Sequence, residues 1–267
     1  SGPTATTTSC FSPLATAVVA PASDAAAAPP RPKGPTAHWS PCFRDVAAEY
    51  ASFLPPEFDL PTFECATVPV PLDHERPNGP TISISLVRLP ALDRSNRIGS
   101  MFVNPGGPGG SGVEFAVFEA PFLYSRDLRS RFDIVGFDPR GIGRSTALKC
   151  FGNLDQAFAI FQSGVAGFPT NATEAKAWFG DDQRLADACA QRGNKVLGHM
   201  STADVARDLD VLRVAVGDQK LTYAGYSYGS YLGVTYANLF PDRVRALDAY
   251  AIGGLAVGED KGRTYET

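Results

Sequence analysis

Residues 201–253 alternate between helical and strand-like patterns, with short connections between them. Residues 201–217 carry an apolar stripe with helical spacing, and residues 228–240 predict a second helix. Residues 220–227 and 243–253 are apolar enough to form buried strands. Strands that alternate with helices over short connections are typical of a parallel sheet with helices on its faces. This stretch therefore predicts an α/β fold.

Upstream segments extend the strand pattern. Residues 63–73 and 80–90 flank the turn-rich sequence HERPNG, and the second segment alternates polar and apolar residues, which predicts an antiparallel hairpin. Residues 99–104 and 131–138 are short apolar runs that end in glycine-rich loops, and they are predicted to be buried strands. The predicted architecture is a mostly parallel sheet with an N-terminal antiparallel hairpin.

The pentapeptide GYSYG joins the predicted strand at 220–227 to the helix at 228–240. The motif alone is weak, because a glycine-rich chain contains Gly-x-Ser-x-Gly by chance and a Gly-Ser turn needs no chemical role. Its setting favours a nucleophile elbow, in which a tight strand-to-helix turn presents the serine above the sheet edge. Ser227 is the candidate nucleophile, and the backbone N–H of Tyr228 at the helix N-terminus is a candidate oxyanion donor.

A second glycine loop, NPGGPGGSG at 104–112, follows a predicted buried strand. Part of it matches the G-x-G-x-x-G pattern of dinucleotide-binding loops, and Asp138 ends the next strand, near where a ribose-binding acid would lie. However, Pro105 and Pro108 lack the N–H groups that such a loop offers to pyrophosphate. Nucleotide binding is therefore the weaker of two interpretations.

The other interpretation of this loop is an oxyanion hole. Acyl transfer passes through a tetrahedral intermediate whose oxygen becomes negative, and backbone N–H groups must already point at that oxygen. Glycines allow the backbone to approach the substrate without interference from a side chain. Gly107 is a candidate donor, and Gly106 is a further candidate in the same loop.

The composition limits the classes of partner. The chain has 267 residues, of which 44% are hydrophobic, and this suits a globular α/β domain with a sizeable core. The net charge of −4 and the absence of a Lys/Arg block disfavour nucleic acid and anionic membrane surfaces. No apolar run approaches the roughly 20 residues of a membrane span. We expect no metal site, because the histidines are scattered and the cysteines form no CxxC pair.

The chain divides into three parts by composition. Residues 1–35 are rich in Ala, Thr, Pro and Ser, and we interpret them as a signal-peptide remnant or a disordered leader. Residues 36–253 form the predicted core, with a helical insertion around 150–200. Residues 254–267 form a divergent tail. The leader indicates export, to a secreted or extracytoplasmic location.

The chain has five cysteines. If Cys10 is removed with the leader, four remain, and these allow three pairings. We favour Cys42–Cys65 and Cys150–Cys189, since the members of each pair are close in sequence and bracket one local segment. Buried free thiols are the alternative. Disulfides would agree with export.

Four motifs in this order resemble the secreted tripeptidyl aminopeptidase and proline iminopeptidase group of α/β-hydrolases: NPGGPGGSG, DIVGFDPRGIGRS, HMSTADVARDLDVLR and LTYAGYSYGSYLGVTYANLFPDRVRAL. The resemblance runs from about Trp39 to Leu247, over several long motifs, so it is specific. It implies an α/β-hydrolase fold, a peptide substrate, and a serine peptidase that removes short N-terminal peptides or single residues without metal or cofactor.

The resemblance also implies roles for individual residues. Ser227 corresponds to the nucleophile, and the Gly106/Gly107 loop and Tyr228 correspond to the oxyanion donors. The DPRGIGRS loop resembles a turn beside the site that has a structural rather than a catalytic role in the family; its polar members are Asp138, Arg140, Arg144 and Ser145.

The chain departs from the family pattern after the nucleophile. In α/β-hydrolases the acid and then the histidine follow the serine along the chain. Here the three histidines, His38, His74 and His199, all precede Ser227. The resemblance fades near Asp248, so the sequence predicts the N-terminal part of such a fold, incomplete at its C-terminus and in need of a further half.

Three functional alternatives therefore stay open. The first is an exported aminopeptidase that uses Ser227. Such an enzyme is active only when an acid and a base complete its catalytic group. The second is an inert fragment, or a half that binds a peptide or a partner. The third is an esterase or lipase, because the residues themselves support only acyl transfer. His199 precedes a helix near the predicted site, but an exposed or capping histidine is the preferred interpretation.

Overall fold

The computed structural model describes residues 34–55, 59–160 and 168–250. Its sheet has the strands β1 to β7, which span Ser40–Cys42, Phe63–Pro71, Thr81–Leu89, Gly99–Asn104, Phe132–Phe137, Leu221–Tyr226 and Val244–Tyr250. The α-helices α1 to α8 span Arg44–Phe53, Gly112–Phe118, Ala120–Leu123, Arg126–Arg131, Leu154–Ile160, Ala172–Arg192, Thr202–Val216 and Tyr228–Leu239. The predicted tail at 254–267, and the predicted leader up to residue 33, lie outside the described residues.

The strand order within the sheet is β1-β2-β3-β5-β4-β6-β7. The predicted hairpin is confirmed, because β2 and β3 pair antiparallel from Glu64 opposite Arg88 to Pro71 opposite Thr81. The predicted parallel sheet is also confirmed, since β4 pairs in parallel with both β5 and β6, and β6 pairs in parallel with β7. The carboxyl ends of β4 and β6 are neighbours in this arrangement, so the two glycine-rich loops that follow them meet at one edge.

The sheet is covered on both faces, as expected for a parallel α/β sheet. Alternate residues of one strand enter two different cores: Phe102 of β4 packs with Leu209 and Tyr236 from α7 and α8, whereas Val103 packs with Val117 of α2. This two-sided burial holds the loops at the sheet edge on rigid supports.

Helix α7 forms as its sequence predicts. The Ser201 side chain accepts a hydrogen bond from the N–H of Asp204, and Gly217 ends the helix in the left-handed conformation with φ 94°. Both are the ordinary signals of helix ends, worth about 1 kcal/mol for an N-cap. Leu209 and Leu212 of the predicted apolar stripe are fully buried.

Both predicted disulfides are present. Cys42–Cys65 joins β1 to β2, and Cys150–Cys189 joins the chain after β5 to helix α6. Helix α6 has 21 residues and buries none of them, so its attachment depends on few contacts. One is the disulfide, and just beyond the end of the helix Asn194 Nδ2 donates to the carbonyl of Ala147 (2.8 Å).

We therefore expect the double variant Cys150→Ser/Cys189→Ser to release α6 locally. Because little apolar surface holds this helix, limited proteolysis within 172–192 should become at least about tenfold faster than in the unmodified chain. The matched control, Cys42→Ser/Cys65→Ser, should leave cleavage in α6 unchanged. An α6 cleavage rate unaffected by loss of Cys150–Cys189 would show that other contacts attach the helix.

Candidate active site

Ser227 lies on the turn between β6 and α8 in a conformation that non-glycine residues rarely adopt, with φ 53° and ψ −124°. Such backbone strain costs of the order of 1–3 kcal/mol and persists where the surroundings hold it. Two hydrogen bonds do so here: the Ser227 N–H donates to the carbonyl of Tyr250 (2.8 Å), and its own carbonyl accepts from the Ser230 N–H (2.9 Å). The geometry is that of a nucleophile elbow.

The two glycines of GYSYG permit this tight turn. A Cβ on Gly229 would lie 2.7 Å from the carbonyl oxygen of Asn104, at the end of β4. A Cβ on Gly225 would lie 2.6 Å from the ring of Tyr223, which is fully buried in β6. The Tyr223 hydroxyl donates to the Gly229 carbonyl (2.8 Å), and burial raises the pKa of that hydroxyl well above its ordinary value. The first turn of α8 is thus held against the sheet.

The glycine loop after β4 lies directly against the nucleophile turn. Gly106 has φ 95°, and a Cβ there would lie 3.0 Å from Ser227 Cβ and 2.9 Å from the backbone nitrogen of Tyr228. Gly107 also has a positive φ, 112°. Only glycine adopts such a conformation readily while making so close an approach.

The backbone N–H groups around Ser227 differ in availability. The Gly106 N–H donates to Asn104 Oδ1 (2.9 Å), so it is already engaged, which argues against Gly106 as an oxyanion donor. Among the described residues, no hydrogen bond is made by the N–H of Gly107 or by that of Tyr228, the first residue of α8. The structure therefore favours Gly107 and Tyr228 as the pair of free donors.

Asp138 fastens the loop that follows β5. Its buried carboxylate accepts hydrogen bonds from Ser111 Oγ (2.5 Å), the Val113 N–H (3.2 Å) and the Arg144 N–H (2.8 Å). The Ser145 hydroxyl donates to the Asp138 carbonyl (2.6 Å). Both carboxylate oxygens are engaged in joining two loops, which disfavours the ribose-binding interpretation and agrees with a structural turn.

Arg140 anchors the same loop to the rest of the molecule. It is fully buried and forms a two-pronged ion pair with Asp208 of α7, through Nε (2.7 Å) and Nη2 (2.6 Å). Its remaining N–H groups donate to the carbonyls of Leu72 (2.9 Å), His199 (2.9 Å) and Pro71 (3.0 Å). All five donors of the guanidinium group are used.

Because all five donors of Arg140 are used, the protonated nitrogen of the neighbouring His74 can be assigned. His74 Nε2 lies 2.8 Å from Asp208 Oδ1 and 3.1 Å from Arg140 Nη2. Since the N–H groups of Arg140 are committed to other acceptors, Nε2 carries the proton and donates to Asp208. The imidazole of His74 thus completes a largely buried polar cluster with Arg140 and Asp208.

The described residues give Ser227 no histidine as a hydrogen-bond partner. No hydrogen bond joins Ser227 to His38, His74 or His199. The carbonyl of His199 accepts from Arg140 (2.9 Å), which joins this residue to the Arg140 cluster. The preferred interpretation of His199 as a histidine without a base role agrees with these contacts.

A family model described as the alpha/beta hydrolase fold matches residues 99–249. The chain belongs to the α/β-hydrolase family. The predicted fold class is confirmed. The matched segment contains the glycine loop at 104–112, the DPRGIGRS loop and the turn at Ser227.

Curated relatives of this α/β-hydrolase include the Tripeptidyl aminopeptidase of Streptomyces lividans, 37% identical over 195 residues, which are 72% of this chain and 36% of the relative. Serine protease Hip1 of Mycobacterium tuberculosis is 42% identical over 188 residues, 68% of this chain and 34% of the relative. Carboxylesterase B of the same organism is 38% identical over 167 residues, 61% and 31% of the two chains. The chain spans about a third of the length of these relatives. The resemblance inferred from the motifs is confirmed.

An aromatic group beside Ser227 was missed by sequence reasoning. The hydroxyls of Tyr124 and Tyr226 lie 3.1 Å apart, and the Tyr226 ring packs against Phe115 and Tyr250. Burial, followed by the hydrogen bond to Tyr226, raises the pKa of the Tyr124 hydroxyl far above its ordinary value. The position of Tyr226 next to Ser227 was the available signal, but nothing in the sequence placed Tyr124 near it.

A small cavity of about 70 Å³ is lined in part by the glycine loop at 104–112. Its lining combines apolar side chains with the site itself and includes Asn104, Gly106, Ile142, Met200, Tyr228 and Leu232. The Tyr228 hydroxyl is 2.5 Å from Thr202 Oγ1, which ties the residue after the nucleophile to the start of α7. This cavity is large enough for a small apolar group or a few water molecules.

Proposed function

We propose that this chain carries the nucleophile and oxyanion donors of an exported serine hydrolase that acts on peptides as an aminopeptidase. The observation that carries the proposal is the strained Ser227 turn, flanked by the free N–H groups of Gly107 and Tyr228. Serine nucleophiles of α/β-hydrolases need this combination of a turn above the sheet edge and two preorganised donors.

The proposed reaction follows from this geometry. Ser227 Oγ adds to the substrate carbonyl carbon while a base takes the hydroxyl proton, and the two N–H groups stabilise the oxyanion. Collapse of the tetrahedral intermediate breaks the bond to the leaving amine, which receives that proton. Water then cleaves the acyl-enzyme and restores the serine.

The relatives support peptides as the substrate class. The names Tripeptidyl aminopeptidase and Serine protease Hip1 belong to relatives at 37% and 42% identity. The relative named Carboxylesterase B, at 38% identity, favours an ester substrate as the alternative. Comparison of a tripeptide anilide with a short-chain aryl ester as substrates would separate the two.

The two disulfides, rather than the leader, support export of the protein. The disulfides Cys42–Cys65 and Cys150–Cys189 suit an oxidising compartment. No helix within the described part of the chain is long and apolar enough to cross a membrane. The net charge of −4 gives no support for a nucleic-acid partner.

A second candidate is a half-site that is inert by itself. It is favoured by the absence of a Ser227–histidine hydrogen bond among the described residues. Without a base, a serine hydroxyl is a weak nucleophile. In this case a complementing segment would provide the acid and the base.

A fluorophosphonate probe tests the first candidate. We expect covalent labelling of the wild-type chain and loss of labelling in Ser227→Ala, because the probe reacts with activated serines. Ser52→Ala, at an exposed serine of helix α1, is the matched control and should label like the wild type. Folded wild-type protein that does not label would favour the second candidate.

A further inference from the structure

Asn104 is the last residue of β4 and lies between the two loops of the proposed site. Its side chain is almost completely buried, at 2% exposure. The Gly106 N–H donates to its Oδ1 (2.9 Å), and a Cβ on Gly229 would lie 2.9 Å from that same oxygen. One amide group therefore contacts the oxyanion loop on one side and the first turn of α8 on the other.

The other end of this amide has no protein partner. No described residue accepts a hydrogen bond from Asn104 Nδ2, and Asn104 lines the cavity beside Gly106 and Tyr228. The Nδ2 group keeps some exposure to this cavity, so one end of the amide holds the loop while the other faces open space.

We propose that Asn104 is a positioning residue of the oxyanion hole: its Oδ1 holds Gly106 at φ 95° so that the next N–H, on Gly107, remains free beside Ser227. This role rests on the serine chemistry proposed above. The hydrogen bond spans two residues, so loss of the acceptor releases the loop at the point where it approaches the nucleophile.

The uncharged amide also explains why an acid does not serve here. A carboxylate at this position would accept the same Gly106 hydrogen bond, but it would place negative charge beside the oxyanion that forms in the reaction. The amide provides the acceptor together with a Nδ2–H₂ group of the favourable sign. The residue at position 104 must therefore hold the Gly106 loop in place and must also be uncharged. Two variants test these requirements separately.

Asn104→Leu removes the acceptor while approximately preserving the volume, and Asn104→Asp preserves the acceptor while adding charge. Hydrogen exchange of the Gly106 amide, followed by NMR, reports the loop directly and needs no activity. We expect at least about tenfold faster exchange of this amide in Asn104→Leu, and exchange within about twofold of the wild type in Asn104→Asp, with buried β4 amides unchanged in both.

The rate of fluorophosphonate labelling is the second measurement. We expect the labelling rate to decrease at least about tenfold in both variants. In Asn104→Leu the Gly106 loop loses its position, and in Asn104→Asp a negative charge lies beside the oxyanion. Unchanged Gly106 exchange in Asn104→Leu would overturn the proposal, as would faster exchange with unchanged labelling. If the exchange results hold but the wild type does not label, the positioning of the loop stands and the proposed serine chemistry of this chain fails.

Discussion

Replacement of Arg140 by methionine is expected to lower the free energy of unfolding by about 3–5 kcal/mol. The guanidinium group is fully buried and pairs with Asp208, which is itself almost inaccessible to solvent. Methionine keeps the length and the apolar packing of the side chain but leaves a carboxylate without its cation. It also removes the donors that bind three carbonyl groups. Chemical denaturation followed by tyrosine and tryptophan fluorescence measures the loss.

The double variant Arg140→Met/Asp208→Leu identifies the cause. When both charges are replaced by apolar groups of similar size, the desolvation cost disappears, so the double variant should recover at least about half of the loss. Arg76→Met is a matched control, because the Arg76–Asp73 pair is on the surface, and its unfolding should match the wild type. A double variant no more stable than Arg140→Met would show that the loss of the three carbonyl contacts, rather than the stranded charge, dominates.

Replacement of Gly106 by alanine is expected to abolish fluorophosphonate labelling, with a decrease of at least about 100-fold. The new Cβ would clash with the Tyr226 carbonyl oxygen and lie within 3.0 Å of Ser227 Cβ, at a φ of 95° that alanine rarely adopts. The loop must therefore move, and the N–H of Gly107 moves with it. The second-order rate constant of labelling measures the effect.

The control for this variant is Gly198→Ala. No atom lies within 4 Å of the position of its Cβ, so this substitution should change neither labelling nor stability. A thermal melt of Gly106→Ala separates local from global damage, since a moved loop should leave the core of the sheet folded. Labelling of Gly106→Ala at the wild-type rate would show that the loop after β4 does not form the oxyanion hole.

Most of the strands and helices around the site could be predicted because their signals are local. Strand β4 was expected at 99–104 and is observed at Gly99–Asn104, and helix α7 was expected at 201–217 and is observed at Thr202–Val216. The apolar period, the Ser201 cap and the Gly217 stop all act within a few residues. The disulfide pairs were also predictable, because each one closes a short segment.

Other elements had no such local signal. Helices α2 to α4 follow the glycine loop as three short pieces, too brief for a clear period, and β1 has only three residues. The adjacency of β4 and β6 is set by contacts between distant segments, such as Val103 with Ala224. The Tyr124–Tyr226 contact depends on the same long-range packing.

The sequence by itself determined the α/β class, the strand–turn–helix around Ser227 and the candidate glycine loop, because backbone propensity and apolar period act over a few residues. Only the tertiary structure decided which N–H groups are free. The sequence does not distinguish Gly106 from Gly107 as donors. In the structure, Asn104 engages the N–H of Gly106 and leaves that of Gly107 without a partner among the described residues. A hydrogen bond is directional and needs atoms within about 3 Å, and a sequence pattern does not carry that information.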